Sequence, residues 1–265
     1  MRHRRLIAAS VFAATAGVAG SALTSEWGEY QVEDRRSGYT YAAAETRAMQ
    51  DEDFQNPAFF WVDHGEESWS TPGGTQGKSC QSCHGSASES MPTAGSTYPV
   101  YAKEFGKLIS LEQRINQCRA ERMGAEVWKW ESDELLAMTA YVRNQARGLP
   151  VNPKIDGPAK PFFEAGKEAY ARRRGQIDMA CTHCHGTYAG RKLRASNLSQ
   201  GQTNGFPTYR LGWQKLGSVQ RRFRVCDRMV RAERLPFGDD EYVNLELYLA
   251  WKSRGLPVEA PSVRQ

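Results

Sequence analysis

Two stretches of the chain carry apolar residues at helical spacing and stop on the same five letters. Leu135, Leu136, Met138 and Val142 recur along one face between Asp133 and Ala146. Tyr242, Val243, Leu245, Leu247, Leu249 and Ala250 recur in the same way between Asp239 and Ser253. Spacings of three and four residues, an acidic first turn and a Gly-then-Pro stop predict an amphipathic helix in each. The stops, Arg147-Gly148-Leu149-Pro150-Val151 and Arg254-Gly255-Leu256-Pro257-Val258, align at an offset of 107 residues. The same offset lays Tyr141 on Tyr248 and brings Cys118 to within one residue of Cys226. An internal repeat of one mainly α-helical unit follows, in two tandem domains.

The breaks between apolar runs set the boundaries. Pro150, Pro153, Gly157, Pro158 and Pro161 interrupt any periodicity, so residues 151–161 are expected to be an interdomain linker between a first domain at 61–150 and a second at 162–265. Phe162 to Tyr170 predicts a short amphipathic helix that opens the second domain. Residues 23–60 hold Trp27, Tyr30, Tyr39, Tyr41, Phe54, Phe59 and Phe60 and are read as an extension packed on the body. Residues 1–22 place three arginines before an apolar run from Leu6 to Ala19 and small residues up to Ala22, the pattern of a cleaved signal peptide. The expected compartment is the periplasm, and no later run is long enough to span a membrane.

Composition adds little beyond this. With 265 residues, 40% of them hydrophobic, the chain has the make-up of an ordinary globular protein. Its 35 basic residues against 30 acidic ones fall to 32 against 30 once the leader is removed. A near-neutral average lacks the basic stripe that nucleic acid demands.

Cysteine usage changes the picture more. Cys80-Gln81-Ser82-Cys83-His84 and Cys181-Thr182-His183-Cys184-His185 are two C-x-x-C-H runs, the attachment signature of c-type haem in an exported protein. Two thiols at that spacing can add to the haem vinyl groups, and the next histidine becomes an iron ligand. Two covalent haem c groups are expected, held by Cys80 and Cys83 and by Cys181 and Cys184, with His84 and His185 on the irons. Only five histidines exist, and His3, His64 and His183 are read as a leader, a surface and a spacer residue, so histidine pairs cannot serve both irons. The sixth ligands fall to Cys118 and Cys226 or to methionine among Met91, Met123, Met138, Met179 and Met229. A disulfide between Cys118 and Cys226 is the structural alternative.

The two lone cysteines sit in different fields. From 210 to 234 there are eight basic residues and two acidic ones; from 107 to 123 there are four and two. Arg222 precedes Cys226 by four residues and shares its helix face, where its fork suits a sulfonate-like anion. Arg114 has the same spacing to Cys118, so the surrounding charge is what favours Cys226. A plain electron-transfer cytochrome and a two-haem peroxidase are the rival functions.

Taken together, the leader, the two haem motifs, both lone cysteines and the run Arg222-Phe223-Arg224-Val225-Cys226-Asp227-Arg228-Met229-Val230-Arg231-Ala232-Glu233 resemble the two-haem branch of the SoxA family of bacterial sulfur oxidation. The resemblance implies an L-cysteine S-thiosulfotransferase that works beside a SoxX-type monohaem cytochrome. It implies Cys226 as active-site residue and second-haem ligand, carried as a persulfide, with Arg222 binding substrate and Cys118 on the first haem. The implied reaction joins thiosulfate to a cysteine of the SoxYZ carrier and releases two electrons.

Overall fold

The computed structural model describes residues 26–194 and 196–265, so the expected leader at 1–22 lies outside the described residues. No described helix is long and apolar enough to cross a membrane. A hairpin of β1 (Gln31–Val32) and β2 (Arg35–Arg36) and the helix α1 (Ala44–Asp51) form the extension. The first half holds α2 (Phe59–Ser70), α3 (Cys80–His84), α4 (Ala87–Ser90), α5 (Pro92–Thr97), the hairpin β3 (Val100–Ala102) and β4 (Lys107–Ile109), α6 (Leu111–Cys118) and α7 (Asp133–Asn144). The second holds α8 (Lys160–Ala171), β5 (Lys192–Leu193), β6 (Ser196–Asn197), β7 (Thr208–Arg210), β8 (Lys215–Gly217), α9 (Val219–Met229) and α10 (Asp240–Lys252); β9 (Ser262–Arg264) closes the chain.

The two periodic stretches are α7 and α10, and each starts on a side-chain cap: Ser132 accepts from the Leu135 amide and Asp239 from the Glu241 amide. In each half the first helix crosses the last at a glycine. A Cβ on Gly65 of α2 would collide with the Ala137 carbonyl of α7, and one on Gly166 of α8 with the Asn244 carbonyl of α10. The mainly helical, two-fold repeated architecture read from the sequence is therefore the observed one.

The repeated pentapeptides are repeated because they bond to each other. The Gly148 amide donates to the Val258 carbonyl and the Gly255 amide to the Val151 carbonyl, both at 2.9 Å. Val151 in turn donates to Leu256 at 2.9 Å and Val258 to Leu149 at 2.8 Å. Each bond has its mirror, the signature of an isologous two-fold contact formed within one chain. Gly148 and Gly255 both stand at φ +83°, the left-handed helix stop that glycine adopts without strain. The expected linker thus begins in a fixed position: Val151 is buried and paired on both sides, and only the residues beyond it run free of this contact.

Beside this pairing lies a half-buried cation. Arg143 of α7 reaches across to the Phe206 carbonyl at 3.1 Å and bonds the Gly95 carbonyl of its own half. It lines a cavity of about 60 Å³ with Glu112, Glu246 and both tyrosine-or-phenylalanine–proline corners, at Tyr98-Pro99 and Phe206-Pro207. Burial pushes Arg143 down to about 10, against the pull of Glu112 and Glu246. Burial also holds both carboxyls above their ordinary 4.5, and Glu112 raises Glu246 further.

The extension is tied down through a second buried group. Glu259 accepts from Ser37, from Asn204 at 3.0 Å, from Gln50 at 3.3 Å and from Arg264 at 2.6 Å. The Gln50 side chain also accepts from the Val263 amide at 3.1 Å, fixing α1 against β9. The extension is thus held to the body through buried polar groups, while Phe54 and Phe60 of its expected aromatic residues stand exposed.

Two outcomes follow for the seam. Replacing Arg143 with Met strands two buried carboxyls and the carbonyls it serves, and should cost about 3–5 kcal/mol of unfolding free energy in urea. Because Glu246 is held above 4.5, the folded chain keeps a proton that the unfolded chain releases; stability is full below 4.5 and falls as pH rises through the folded value. Glu246→Gln should flatten that fall when urea midpoints are compared between about pH 4.5 and neutrality.

Candidate haem and anion site

In the second half, Cys181 and Thr182 begin a helical segment that widens into a five-residue turn over His183–Thr187. His185 Nδ1 lies 2.8 Å from the Ser199 carbonyl oxygen. A carbonyl can only accept, so Nδ1 carries the proton and the Nε2 lone pair is left for a metal. Burial holds this imidazole below its ordinary value; the Ser199 acceptor opposes the shift, and the Arg222 charge adds to it. His183 turns away, with Nδ1 accepting from the Ala180 amide at 3.0 Å and Nε2 beside Arg173.

Burial and the adjacent Cys226 push the Cys181 thiol up to about 11 and raise Cys184 as well. In the first half, Cys80 is raised by burial and then by Cys118, and Cys118 in turn feels Cys83. Each lone cysteine therefore lies with the attachment pair of its own half. All six thiols are free, and Cys118 and Cys226 are not bonded to each other. Two thiols on one helical segment, a neutral imidazole held by its far nitrogen and a third thiol facing them form a donor set that fits covalent haem c. His84 is more exposed than His185 and rests near Trp69, whose Nε1 donates to the Gly85 carbonyl at 3.0 Å. His64 stands on α2 near the acidic start of α7, and Met138 is core.

The hairpins and cysteine helices superpose in sequence at an offset of 108, with Tyr101 opposite Leu108 in one half and Tyr209 opposite Leu216 in the other. This register turns the two arginines into a controlled comparison. Arg114 bonds Glu104 at 2.8 Å and the Gln117 side chain at 2.5 Å, and Tyr98 is a further partner. At the matching positions of the second half stand Gly212, Val225 and Phe206, none of which has a side-chain acceptor. Arg222 accordingly makes no ion pair or side-chain hydrogen bond with another described residue. The same spacing thus yields a neutralised guanidinium beside Cys118 and an uncommitted one beside Cys226.

A family model described as SoxA/TsdA, cytochrome c domain, matches residues 64–151. The chain is 43% identical over 229 residues to the L-cysteine S-thiosulfotransferase subunit SoxA of Rhodovulum sulfidophilum, covering 86% of this chain and 80% of that one. It is 45% identical to the SoxA subunit of Paracoccus pantotrophus, over 86% of this chain and 78% of that one. The solved SoxXA structure from P. pantotrophus superposes with a TM-score of 0.84 at 44% identity, covering 87% of each chain. The chain belongs to the SoxA family. As a SoxA cytochrome it carries covalent haem c, in agreement with the donor set of the two motifs.

Within this SoxA chain, sequence reasoning counted Arg210 in a basic stretch without singling it out, and it missed the acids that act on the arginines. Alignment of the halves at 108 rather than 107 would have exposed both, because it sets Glu104 over Gly212 and Ala102 over Arg210. A further missed residue is Glu131. Helix α6 closes its own capping box: Ser110 accepts from the Gln113 amide while Gln113 accepts from the Ser110 amide. In α9 the third position is Arg221, which has no acceptor, and Glu131 of the first half takes the role. Its carboxylate accepts from the Ser218 amide at 3.3 Å and lies 3.6 Å from Arg221. The helix that carries Arg222 and Cys226 is capped by Ser218, which accepts from the Arg221 amide at 3.1 Å, and that cap is in turn held by a residue of the other half. Glu131→Ala should lower the unfolding free energy by about 1–2 kcal/mol in thermal or urea unfolding, with haem attachment unchanged.

Proposed function

We propose that this protein is an L-cysteine S-thiosulfotransferase whose second half holds the active site, with Cys226 as the reacting sulfur and Arg222 as the substrate anchor. The observation that carries the reading is the stripped guanidinium: Arg222 lacks every partner that neutralises Arg114, so the arginine one helical turn before the lone cysteine is available in the second half and engaged in the first. Relatives covering most of the chain are named for this activity.

The net reaction takes a carrier thiol and thiosulfate to a carrier S-thiosulfonate, releasing one proton and two electrons. Arg222 would hold the sulfonate end by charge-assisted hydrogen bonds and aim the outer sulfur at Cys226. Joining Cys226 to that outer sulfur forms one sulfur–sulfur bond and releases the two electrons and the thiol proton. A carrier thiolate then attacks the same outer sulfur, forms the product bond and breaks the bond to Cys226, which leaves as thiolate. Haem c held by Cys80, Cys83 and His84 and by Cys181, Cys184 and His185, with Cys118 and Cys226 as further ligand candidates, supplies one-electron acceptor chemistry for this oxidation.

The reading includes two haems, a SoxX-type monohaem partner of the kind seen in the solved SoxXA complex, a SoxYZ-type carrier, and export to the periplasm by residues 1–22. Cys226→Ala should abolish conjugation of thiosulfate to the carrier while intact mass still reports both haems; Cys118→Ala should leave measurable conjugation. Turnover retained in the Cys226 variant would overturn the assignment. Peptide mapping around Cys226 should also find one additional sulfur in the untreated protein, the mark of a persulfide whose terminal S–H then takes the place of the thiol in both steps, with the same balance of protons and electrons.

A further inference from the structure

Arg210 ends strand β7, where its main chain is paired on both sides, with Lys215 of β8 and Arg264 of β9. Its guanidinium lies 5.3 Å from the ring of Trp213, and Arg221 lies 4.4 Å from the same ring. Trp213 is itself seated by Gly217, where a Cβ would come within 2.5 Å of the indole. The arginine is thus aimed by a packed indole and not left to a mobile stem. It is half-buried, and it forms no ion pair and no side-chain hydrogen bond with another described residue. Burial pushes it down to about 10, with Arg222 pressing in the same direction and Cys226 against it. Its counterpart in the first half is the buried Ala102.

We propose that Arg210 is a second substrate-binding residue, forming with Arg222 a two-guanidinium clamp for the sulfonate end of a dianion at Cys226. The inference rests on the reading of Cys226 and Arg222 given above. Arg222 repels the half-buried Arg210, and neither guanidinium has a carboxylate among the described residues to offset it. A dianion neutralises both, whereas a monoanion leaves one charge uncompensated, so the pair selects for double charge. The first half lacks both features of the clamp: Glu104 occupies Arg114, and Ala102 supplies no second cation.

The test is calorimetric titration of the haem-loaded protein, in complex with its partner subunit, by thiosulfate without carrier or electron acceptor. Methanesulfonate serves as the monoanionic probe. Arg210→Met keeps the apolar stem beside Trp213 and should weaken thiosulfate binding by about tenfold to a hundredfold, with methanesulfonate binding changed far less. Arg210→Lys restores the charge without the fork and should recover part of the loss; it also serves if the Met variant does not fold. Haem content and melting temperature establish that each variant is intact, and Arg222→Met is the reference. Loss in the Arg222 variant with thiosulfate affinity unchanged in both Arg210 variants would overturn the clamp and leave the functional reading standing. Unchanged affinity in all of them would overturn both.

Discussion

The seam between the halves is held by groups that cannot be satisfied from one side. Arg143 is a half-buried cation whose acceptors come from both halves, and the two pentapeptide stops use each other's amides and carbonyls as partners. A buried guanidinium without its acceptors is costly, as is an unpaired buried amide, so neither half reaches its observed conformation unless the other is in place. The carboxyls of Glu112 and Glu246 deepen this dependence, since each is buried and each is partly balanced by the same arginine. The position of α9, and with it the geometry around Cys226, follows from how the halves are locked.

Against that shared frame, function depends on a few substitutions at equivalent positions. The hairpin register and the helix that follows it are kept, so residue 102 corresponds to 210, residue 104 to 212 and residue 114 to 222. Removing a carboxylate, a tyrosine hydroxyl and an amide oxygen frees one guanidinium, and exchanging a buried alanine for arginine adds another. No backbone change is required. The first half keeps its arginine but uses it internally, as a surface-proximal ion pair with Glu104.

Much of this was legible in the sequence because helical periodicity and the C-x-x-C-H spacing are local signals. Helices α7 and α10 end within two residues of their expected limits, and the free, separately placed Cys118 and Cys226 match the repeat argument. What was not legible depends on register across a gap. A single-residue difference between the halves, lying between the lone cysteine and the last helix, hides the correspondence of Ala102 with Arg210 when one offset is applied throughout. Proline density likewise suggested an interdomain linker over 151–161, but nothing in the sequence around Val151 marks the strand-like partner it finds at Leu256. Glu131 was invisible for a similar reason: the amide it accepts from belongs to Ser218, the cap of a helix, 87 positions later.

That last contact separates two things the first half does. The carboxylate of Glu131, the cation of Arg143 and the pentapeptide at 147–151 all act on the second half, and none of them involves Cys80, Cys83 or His84. The attachment motif at 80–84 thus contributes none of the contacts by which the first half holds α9 and the second pentapeptide in place; the buttress is made of polypeptide alone.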